Sequence, residues 1–376
     1  MVTTLTVFLV STLIKILLVV AVLLGLVAYA VLAERKVSAA MQDRIGPNRV
    51  GLPFVKARLM GLGQPLADAF KLMLKEQFVP GHVRSFYYNL APILSFLPAL
   101  LAICVIPFAG VDPIPFPGLS VAVPQPGVIA NVGIGALLLF AVTSLGVYGI
   151  VLAGWSSNSK YAFLGGIRSS AQMISYEVAL GFSAIPIFLI SGALSLPQIV
   201  NFQIERGWFL LPFLGKQMDW HFLLFWPSLL ISSVIFLVTL FAETNRAPFD
   251  LPESEQELVG GFNTEYGGMR FGMFFLGEYA ALISASGLFV TLFLGGWSLP
   301  FGWLGTASSL GTFLLQALVF LTKVCMLVFF FMWIRWTLPR FRYDQVMTLG
   351  WKILLPISMA NIVVVAILMA IFGGAV

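Results

Sequence analysis

The sequence predicts an all-α fold, a polytopic membrane helix bundle of about eight transmembrane helices plus one short interfacial amphipathic helix. Three observations carry that prediction. Of 376 residues, 59% are hydrophobic and only 10% charged, which leaves no room for a soluble domain of any size. Apolar runs of about 20 residues, the length that spans a bilayer, recur along the whole chain. The basic residues between those runs fall almost entirely on alternate connections. The chain therefore reads as a single membrane domain, 1–376, with a cytoplasmic segment at 34–85 and an acidic cytoplasmic loop at 243–270.

The spans lie near 7–33, 86–109, 130–154, 170–193, 221–242, 271–295, 311–336 and 351–372. No basic residue precedes Lys15, and the first apolar run is long for a signal peptide, so it reads as a retained anchor helix. The sixth and seventh spans come from one uncharged stretch, 279–322, whose 44 residues are too many for one crossing. Gly295, Gly296 and Pro300 supply the break.

Lys and Arg set the orientation. The segment between the first two spans holds Arg35, Lys36, Arg44, Arg49, Lys56, Arg58, Lys71, Lys75 and Arg84. With the later connections on the same side, 17 of the 21 basic residues share one face, which the positive-inside rule assigns to the cytoplasm. The opposite connections carry only Arg206 and Lys216, while Lys15 and Lys323 fall within spans. Eight crossings of the cell inner membrane then leave both termini outside. This topology also accounts for the net charge of +5 without nucleic acid.

Within 34–85, Leu66, Ala69, Phe70, Met73 and Leu74 recur at helical spacing among Asp68, Lys71, Lys75 and Glu76. The pattern fits a short amphipathic helix lying in the membrane interface, and by itself the pattern favours an ordinary interfacial tether over a site. The preceding 42–49 is turn-rich and charged, like the rim of a site.

The acidic loop and its flanks, 240–279, hold Glu243, Asp250, Glu253, Glu255, Glu257, Glu265 and Glu278, opposed only by Arg246 and Arg270. A solvated loop between two helices would explain most of them. Two details do not fit that explanation: Pro248 and Pro252 restrict the backbone around Asp250, and Glu278 stands well inside an apolar run. Glu177 and Lys323 also lie within spans, where an ionised side chain costs about 3 kcal/mol. Two readings of these buried charges stand open. One is a structural pair, Glu278 with Lys323; the other is proton handling, since acids close together in low dielectric do not all ionise and can share protons.

Cys104 and Cys325 lie in apolar runs without metal or disulfide spacing, and His82 and His221 stand alone. There is no Gly-rich phosphate loop, no Ser-His-Asp set and no internal repeat. The many Met and Phe residues suit packing and lipid contact first, and an apolar tunnel for an isoprenoid chain second.

Several motifs together resemble one family. Ala-Glu-Thr-Asn-Arg-Ala-Pro-Phe-Asp (242–250), Glu-x-Glu-x-Glu-Leu-Val (253–259) and Thr-Glu-Tyr (264–266) are similar to the acidic loop of the H-type membrane subunits of NADH-quinone oxidoreductase, respiratory complex I. The first cytoplasmic segment adds Ala-Glu-Arg-Lys (33–36), Arg-Ile-Gly-Pro-Asn (44–48), Gln-Pro-x-Ala-Asp-x-x-Lys (64–71) and Lys-Glu (75–76). Gly-Trp-x-Ser-Asn-Ser (154–159), Ile-Ser-Tyr-Glu (174–177), Trp-Ile-Arg (333–335) and Pro-Arg-Phe-Arg-Tyr-Asp-Gln (339–345) extend the likeness over nearly the whole chain. The stretch 52–63 is several residues longer than the family's usual link, which would alter the rim locally.

The resemblance implies the membrane half of a ubiquinone or menaquinone chamber in a proton-pumping NADH:quinone oxidoreductase. It implies no cofactor on this chain, quinone as substrate, and iron–sulfur clusters and FMN in partner subunits. The implied partners are the peripheral quinone-site subunits, the membrane-arm subunits and membrane lipid. By motif, Arg35, Arg44, Asp68, Lys71 and Arg246 would lie near the quinone path. Glu177, Glu243, Glu253, Glu255, Glu257, Glu265 and Glu278 would form an acidic route into the membrane arm. Glu34 would serve either set, and Asp250 the fixed frame of the loop. Two alternatives stay open: the related membrane subunit of an energy-converting hydrogenase, told apart by gene neighbourhood, and a free-standing channel or transporter, told apart by the absence of partner subunits in a pull-down.

Overall fold

The computed structural model describes residues 2–51, 59–113, 126–216, 220–251, 259–305 and 309–372. Bilayer hydrocarbon offers backbone groups no hydrogen-bond partner, so a spanning segment satisfies them internally as helix. Among the described residues eight helices are long and apolar enough to cross a membrane. In chain order the helices are α1 (Val2–Met41), α2 (Gln64–Leu74), α3 (Ser85–Ala102), α4 (Gly135–Ser156) and α5 (Lys160–Ser191). They continue as α6 (Leu196–Arg206), α7 (Trp220–Glu243), α8 (Gly268–Phe293), α9 (Leu310–Thr337) and α10 (Tyr343–Phe372). All but α2 and α6 are candidate spans, and no strand occurs among the described residues.

Two helices outrun their apolar runs. α1 continues past the expected 33 to Met41 and so carries Glu34, Arg35 and Lys36 as helical residues. Charge ends a hydrophobic stretch but does not end a helix: Glu, Arg, Lys, Ala and Met are all good helix formers. α5 starts at Lys160, ten residues before the expected 170, because the connection from α4 closes in three residues around Asn158, whose φ of 49° an asparagine tolerates. Arg168 is thus helical.

α2 forms within the expected amphipathic stretch, with Pro65 in its first turn, where a missing N–H costs nothing. None of its residues is buried, and Leu66, Phe70, Met73 and Leu74 are exposed, so most of its apolar face is uncovered by the described residues. Leu72 turns the other way and meets Gly272 of α8.

Small residues bring the spanning helices together, as expected where no water drives association. α5 packs against α4, α7 and α10, and α3 lies between α4 and α8. Gly154 of α4 meets Gly166 of α5, and Gly277 of α8 meets the backbone of Phe96 in α3. Phe222, Phe225, Phe236 and Phe293 fill the centre, and α8 is the most enclosed span. A π-helical stretch, Leu349–Leu354, interrupts α10 where Gly350 packs on the Tyr176 ring; the Tyr176 hydroxyl donates to the Val346 carbonyl at 2.9 Å.

A further close approach is Gly165 of α5 against Gly261, in the descent from the acidic loop to α8. A Cβ at 165 would stand 2.7 Å from the Gly261 Cα and 2.8 Å from the Phe262 nitrogen, both backbone atoms that cannot swing aside. Gly165→Ala is expected to destabilise the protein by about 1–3 kcal/mol, read as a lower melting temperature of the assembled complex. An unchanged melting temperature would mean that the loop is not anchored there.

Candidate functional site

The site is built where α7 runs out. The chain turns at Asn245, in the left-handed region at φ 49°, and this reversal sends Arg246 back into the bundle instead of out to solvent. Gln172 of α5 holds the turn: its amide nitrogen donates to the carbonyls of Ala242 and Phe249, both at 2.9 Å. Phe249 N donates to the Arg246 carbonyl at 2.8 Å, closing the loop on itself.

Arg246 is 2% exposed and has three close neighbours. Its Nη1 donates to Glu34 Oε2 at 3.1 Å, its Nε lies 2.9 Å from Glu278 Oε1, and its guanidinium stacks 4.1 Å from the centre of the Tyr279 ring. Glu34, on α1, is itself shared: the Tyr279 hydroxyl donates to Oε2 at 2.6 Å and Arg335 Nη1, from α9, donates to Oε1 at 2.6 Å. Two carboxylates and two guanidinium groups from α1, the loop, α8 and α9 thus neutralise one another. Beside them Arg340 Nη2 donates to Asp250 Oδ2 at 3.1 Å, adding a balanced pair. Such balance of opposite charges is what makes buried charge tolerable, although Arg246 Nη2 and Asp250 Oδ1 are buried without a hydrogen-bond partner among the described residues.

Burial works against the Arg246 charge, but Glu278, Tyr279 and Glu34 outweigh it, and its pKa is raised. Burial also raises the Asp250 carboxyl, with Arg340, Arg335 and Arg246 opposing.

On the other side of Glu278 lies a cavity of about 100 Å³ between α3, α4, α5, α7 and α8. Its walls are mostly apolar, with Phe140, Leu180 and Leu288 among them, and its polar lining includes Glu243, Glu278, Thr143 and Asn245. A water needs about 10–15 Å³ of such space and two or more polar partners, so the cavity has room for several. Glu177, which does not line this space, lies close enough to Ser144 and to Glu243 to interact with both. From α1 to α5 the bundle therefore presents ionisable groups in succession: Glu34, Arg246, Glu278, then across the cavity Glu243, with Glu177 near it.

The residues expected near a quinone path divide. Glu34 and Arg246 are buried in the cluster. Arg35 points away from it and pairs with Asp68 of α2 at 2.8 Å, a half-exposed bridge that ties α2 to the end of α1. Lys71 is exposed on α2, and Arg44 is exposed with its Nε on Gln42 Oε1 at 2.7 Å. Of the expected acidic route, Glu243 and Glu278 line the same cavity, and Glu177 lies near Glu243. Glu265 is half-buried, and its backbone carbonyl accepts from the Tyr88 hydroxyl at 2.6 Å, beside the Tyr88–Tyr266 ring stack. Glu253, Glu255 and Glu257 lie outside the described residues, as do 52–58 of the longer link. Asp250 is part of the frame.

One reading of the sequence is corrected. Lys323 is not the partner of Glu278: its Nζ is bound to the carbonyls of Leu294, Gly296 and Ser298, beyond the far end of α8. Leu294 lies sixteen residues past Glu278, about 24 Å along the helix axis. The cation that Glu278 meets is Arg246. Tyr279 and Gln172 were missed as site residues; an aromatic hydroxyl next to a buried acid, and an amide little more than one turn before Glu177, were the available signals.

Among the described residues no group of three or more His, Cys, Asp or Glu side chains could hold a metal ion. The fold and the cluster define a multi-pass helical membrane protein whose interior carries paired charges beside a mostly apolar cavity that two carboxylates, Glu243 and Glu278, reach. The model of the NADH dehydrogenase family matches residues 14–366. The chain is 47% identical to NADH-quinone oxidoreductase subunit 8 of Rhodothermus marinus, over 91% of this chain and 92% of that one. It is 46% identical to an H-type subunit of the NADH-quinone oxidoreductase of Koribacter versatilis, over 97% and 98%. The H-type subunit of Paramagnetospirillum magneticum is also 46% identical, over 93% and 90%. The chain belongs to this family of H-type NADH-quinone oxidoreductase subunits, as its motifs suggested.

Proposed function

We propose that this chain forms the membrane side of the quinone chamber in a proton-pumping NADH:quinone oxidoreductase and couples quinone reduction to proton movement. The names of its relatives support the enzyme; the buried Arg246 bridge between Glu34 and Glu278 supports the coupling. Electrons would come from iron–sulfur clusters and FMN in peripheral partners, and the protons would leave through membrane-arm partners.

The mechanism is electrostatic. Quinone reduction takes up protons and changes charge at the chamber, where Arg35, Arg44, Asp68 and Lys71 line the approach along α2 and the end of α1. Glu34 senses that change. Glu34 and Glu278 share the Arg246 guanidinium, so a change of charge at the chamber that draws Arg246 toward one of them loosens its hold on the other. Glu278 thus feels the chamber through one intervening side chain and faces the cavity with its other edge. Glu243 and Glu177 continue the route, and Glu253, Glu255, Glu257 and Glu265 would supply or buffer protons at the loop. Like charges so close in low dielectric exchange protons rather than all ionise.

The test is Glu243→Gln. The variant complex is expected to assemble and to oxidise NADH with a hydrophilic artificial acceptor at the normal rate. Quinone-linked proton pumping should fall by roughly tenfold or more, as for loss of a proton-transfer group. Pumping at the normal ratio of protons to electrons would remove the cavity from the route. The same reading puts both termini outside the cytoplasmic membrane. A tag at Val376 should react with an impermeant reagent in intact cells, and a cysteine at 254 only after lysis; the reverse result would overturn the orientation.

A further inference from the structure

At the end of α8 remote from the Arg246 cluster, the chain builds a second charged site that the coupling mechanism does not use. A helix ends with carbonyls that have no partner inside the helix, at the negative end of its macrodipole. Here Gly295 and Gly296, with φ of 68° and 51°, wind the chain back on itself, and Gly296 N returns to the Val290 carbonyl at 3.0 Å. The Gly295 carbonyl is taken by Ser298 N at 2.9 Å and Ser298 Oγ at 2.7 Å. The carbonyls left over, those of Leu294, Gly296 and Ser298, converge on one point.

That point is the Lys323 ammonium, at 2.7 Å, 3.0 Å and 2.6 Å from the three oxygens. An ammonium has three N–H groups, and each is matched by one carbonyl. The indole of Trp208 covers a further side, with its ring centre 4.0 Å from Nζ. The ring is fixed in turn, because Trp208 Nε1 donates to Ser298 Oγ at 3.1 Å. Gln203 of α6 braces the frame from behind: its amide nitrogen donates to the Thr291 carbonyl at 2.8 Å, and its oxygen accepts from Gly295 N at 2.9 Å. Neither left-handed position can change: a Cβ on Gly295 would collide with the indole, and one on Gly296 would stand 2.8 Å from Val200.

Among the described residues, all of Lys323's hydrogen bonds go to neutral carbonyl oxygens and none to a carboxylate. Its charge is compensated by backbone dipoles and a π face, the same chemistry by which carbonyl rings replace the hydration shell of an alkali cation. We propose that the Leu294–Gly296–Ser298 carbonyl cage is a monovalent-cation site, kept filled by the tethered ammonium of Lys323, and that this charge holds the α8–α9 turn closed. Without the side chain the cage would take a free monovalent cation, an alkali ion or a small ammonium.

The experiment uses detergent-solubilised complex carrying Lys323→Ala, heated in buffers whose cation is N-methylglucamine, sodium, potassium or methylammonium. Intact complex is then measured on native gels. In N-methylglucamine, too bulky for the cage, the variant is expected to lose its integrity several degrees below the wild type. A small cation at about ten times its dissociation constant should favour the intact form about tenfold by mass action, while the wild type does not respond. Two neighbouring variants keep the test decisive if the Ala variant fails to accumulate. Lys323→Gln retains N–H donors without charge and should behave like Ala; Lys323→Arg retains the charge and should assemble. Failure of every cation to restore Ala, a Gln variant as stable as wild type, or an Arg variant that fails with Gln would each overturn the proposal. None of these readouts depends on quinone or on pumping, so a wrong account of coupling would leave the result unaffected.

Discussion

Arg246→Met is expected to abolish quinone-linked turnover and to reduce the amount of assembled complex severalfold. Among the described residues Arg246 is the cation that touches both Glu34 and Glu278, and it is nearly inaccessible to solvent. Its removal leaves Glu34 with Arg335 and the Tyr279 hydroxyl, but takes from Glu278 its paired cation. Breaking a buried pair from one side typically costs about 3–5 kcal/mol, a large part of a domain's stability of about 5–15 kcal/mol. Glu278 can reduce that cost only by taking up a proton, which also removes it as a responsive charge. The double variant Arg246→Met with Glu278→Gln deletes both halves and should recover most of the assembled complex on native gels. It should not recover quinone reduction. A single Arg246→Met variant that turns over quinone normally would show the cluster to be a passive brace.

The second large effect is expected from Glu278→Gln alone, where stability and function should separate. Glutamine has the same shape, and its oxygen can still stand against Arg246 Nε. Arg246 keeps Glu34, so no buried cation is stranded. The complex should assemble and reduce an artificial acceptor at the normal rate. Quinone-linked turnover and pumping should fall together, by roughly tenfold or more. Glu278→Asp, one methylene shorter but still ionisable, should keep part of both. Adding Lys323→Met should restore neither, because that ammonium is bound beyond the other end of α8. Normal pumping by a well-assembled Gln variant would return Glu278 to a purely structural role.

The two acids with the least solvent excuse, Glu177 and Glu278, were legible in the sequence because lipid has no use for a carboxylate. Their surroundings were not. Glu278 and Lys323 are the obvious pair by hydropathy, since each interrupts an apolar span and their charges are opposite. Depth decides otherwise: the Lys323 ammonium is bound past the C-terminal end of α8, about 24 Å along the helix axis from Glu278. Arg246 looked like a loop residue, since it follows an apolar run and precedes two prolines. Its burial depends on a single left-handed residue, Asn245, and on the Gln172 clamp from α5, neither of which periodicity or charge can report.

By itself, then, the sequence determined the all-helical membrane class, the number of spans, the amphipathic α2 and, through its motifs, the family. These follow from local quantities: run length, hydrophobic spacing, the sign of charge in each connection, and short motifs contiguous in the chain. Only the tertiary structure decided which charges meet. It divided Glu34 from its neighbour Arg35, the first turned into the cluster and the second out to Asp68. It joined residues more than two hundred positions apart, Glu34 with Arg246 and Tyr279, and it gave Lys323 to a backbone cage instead of an acid. The physical reason is that a buried charge is stabilised by whatever stands within about 3 Å of it, and helix register, crossing depth and one turn of backbone set those distances.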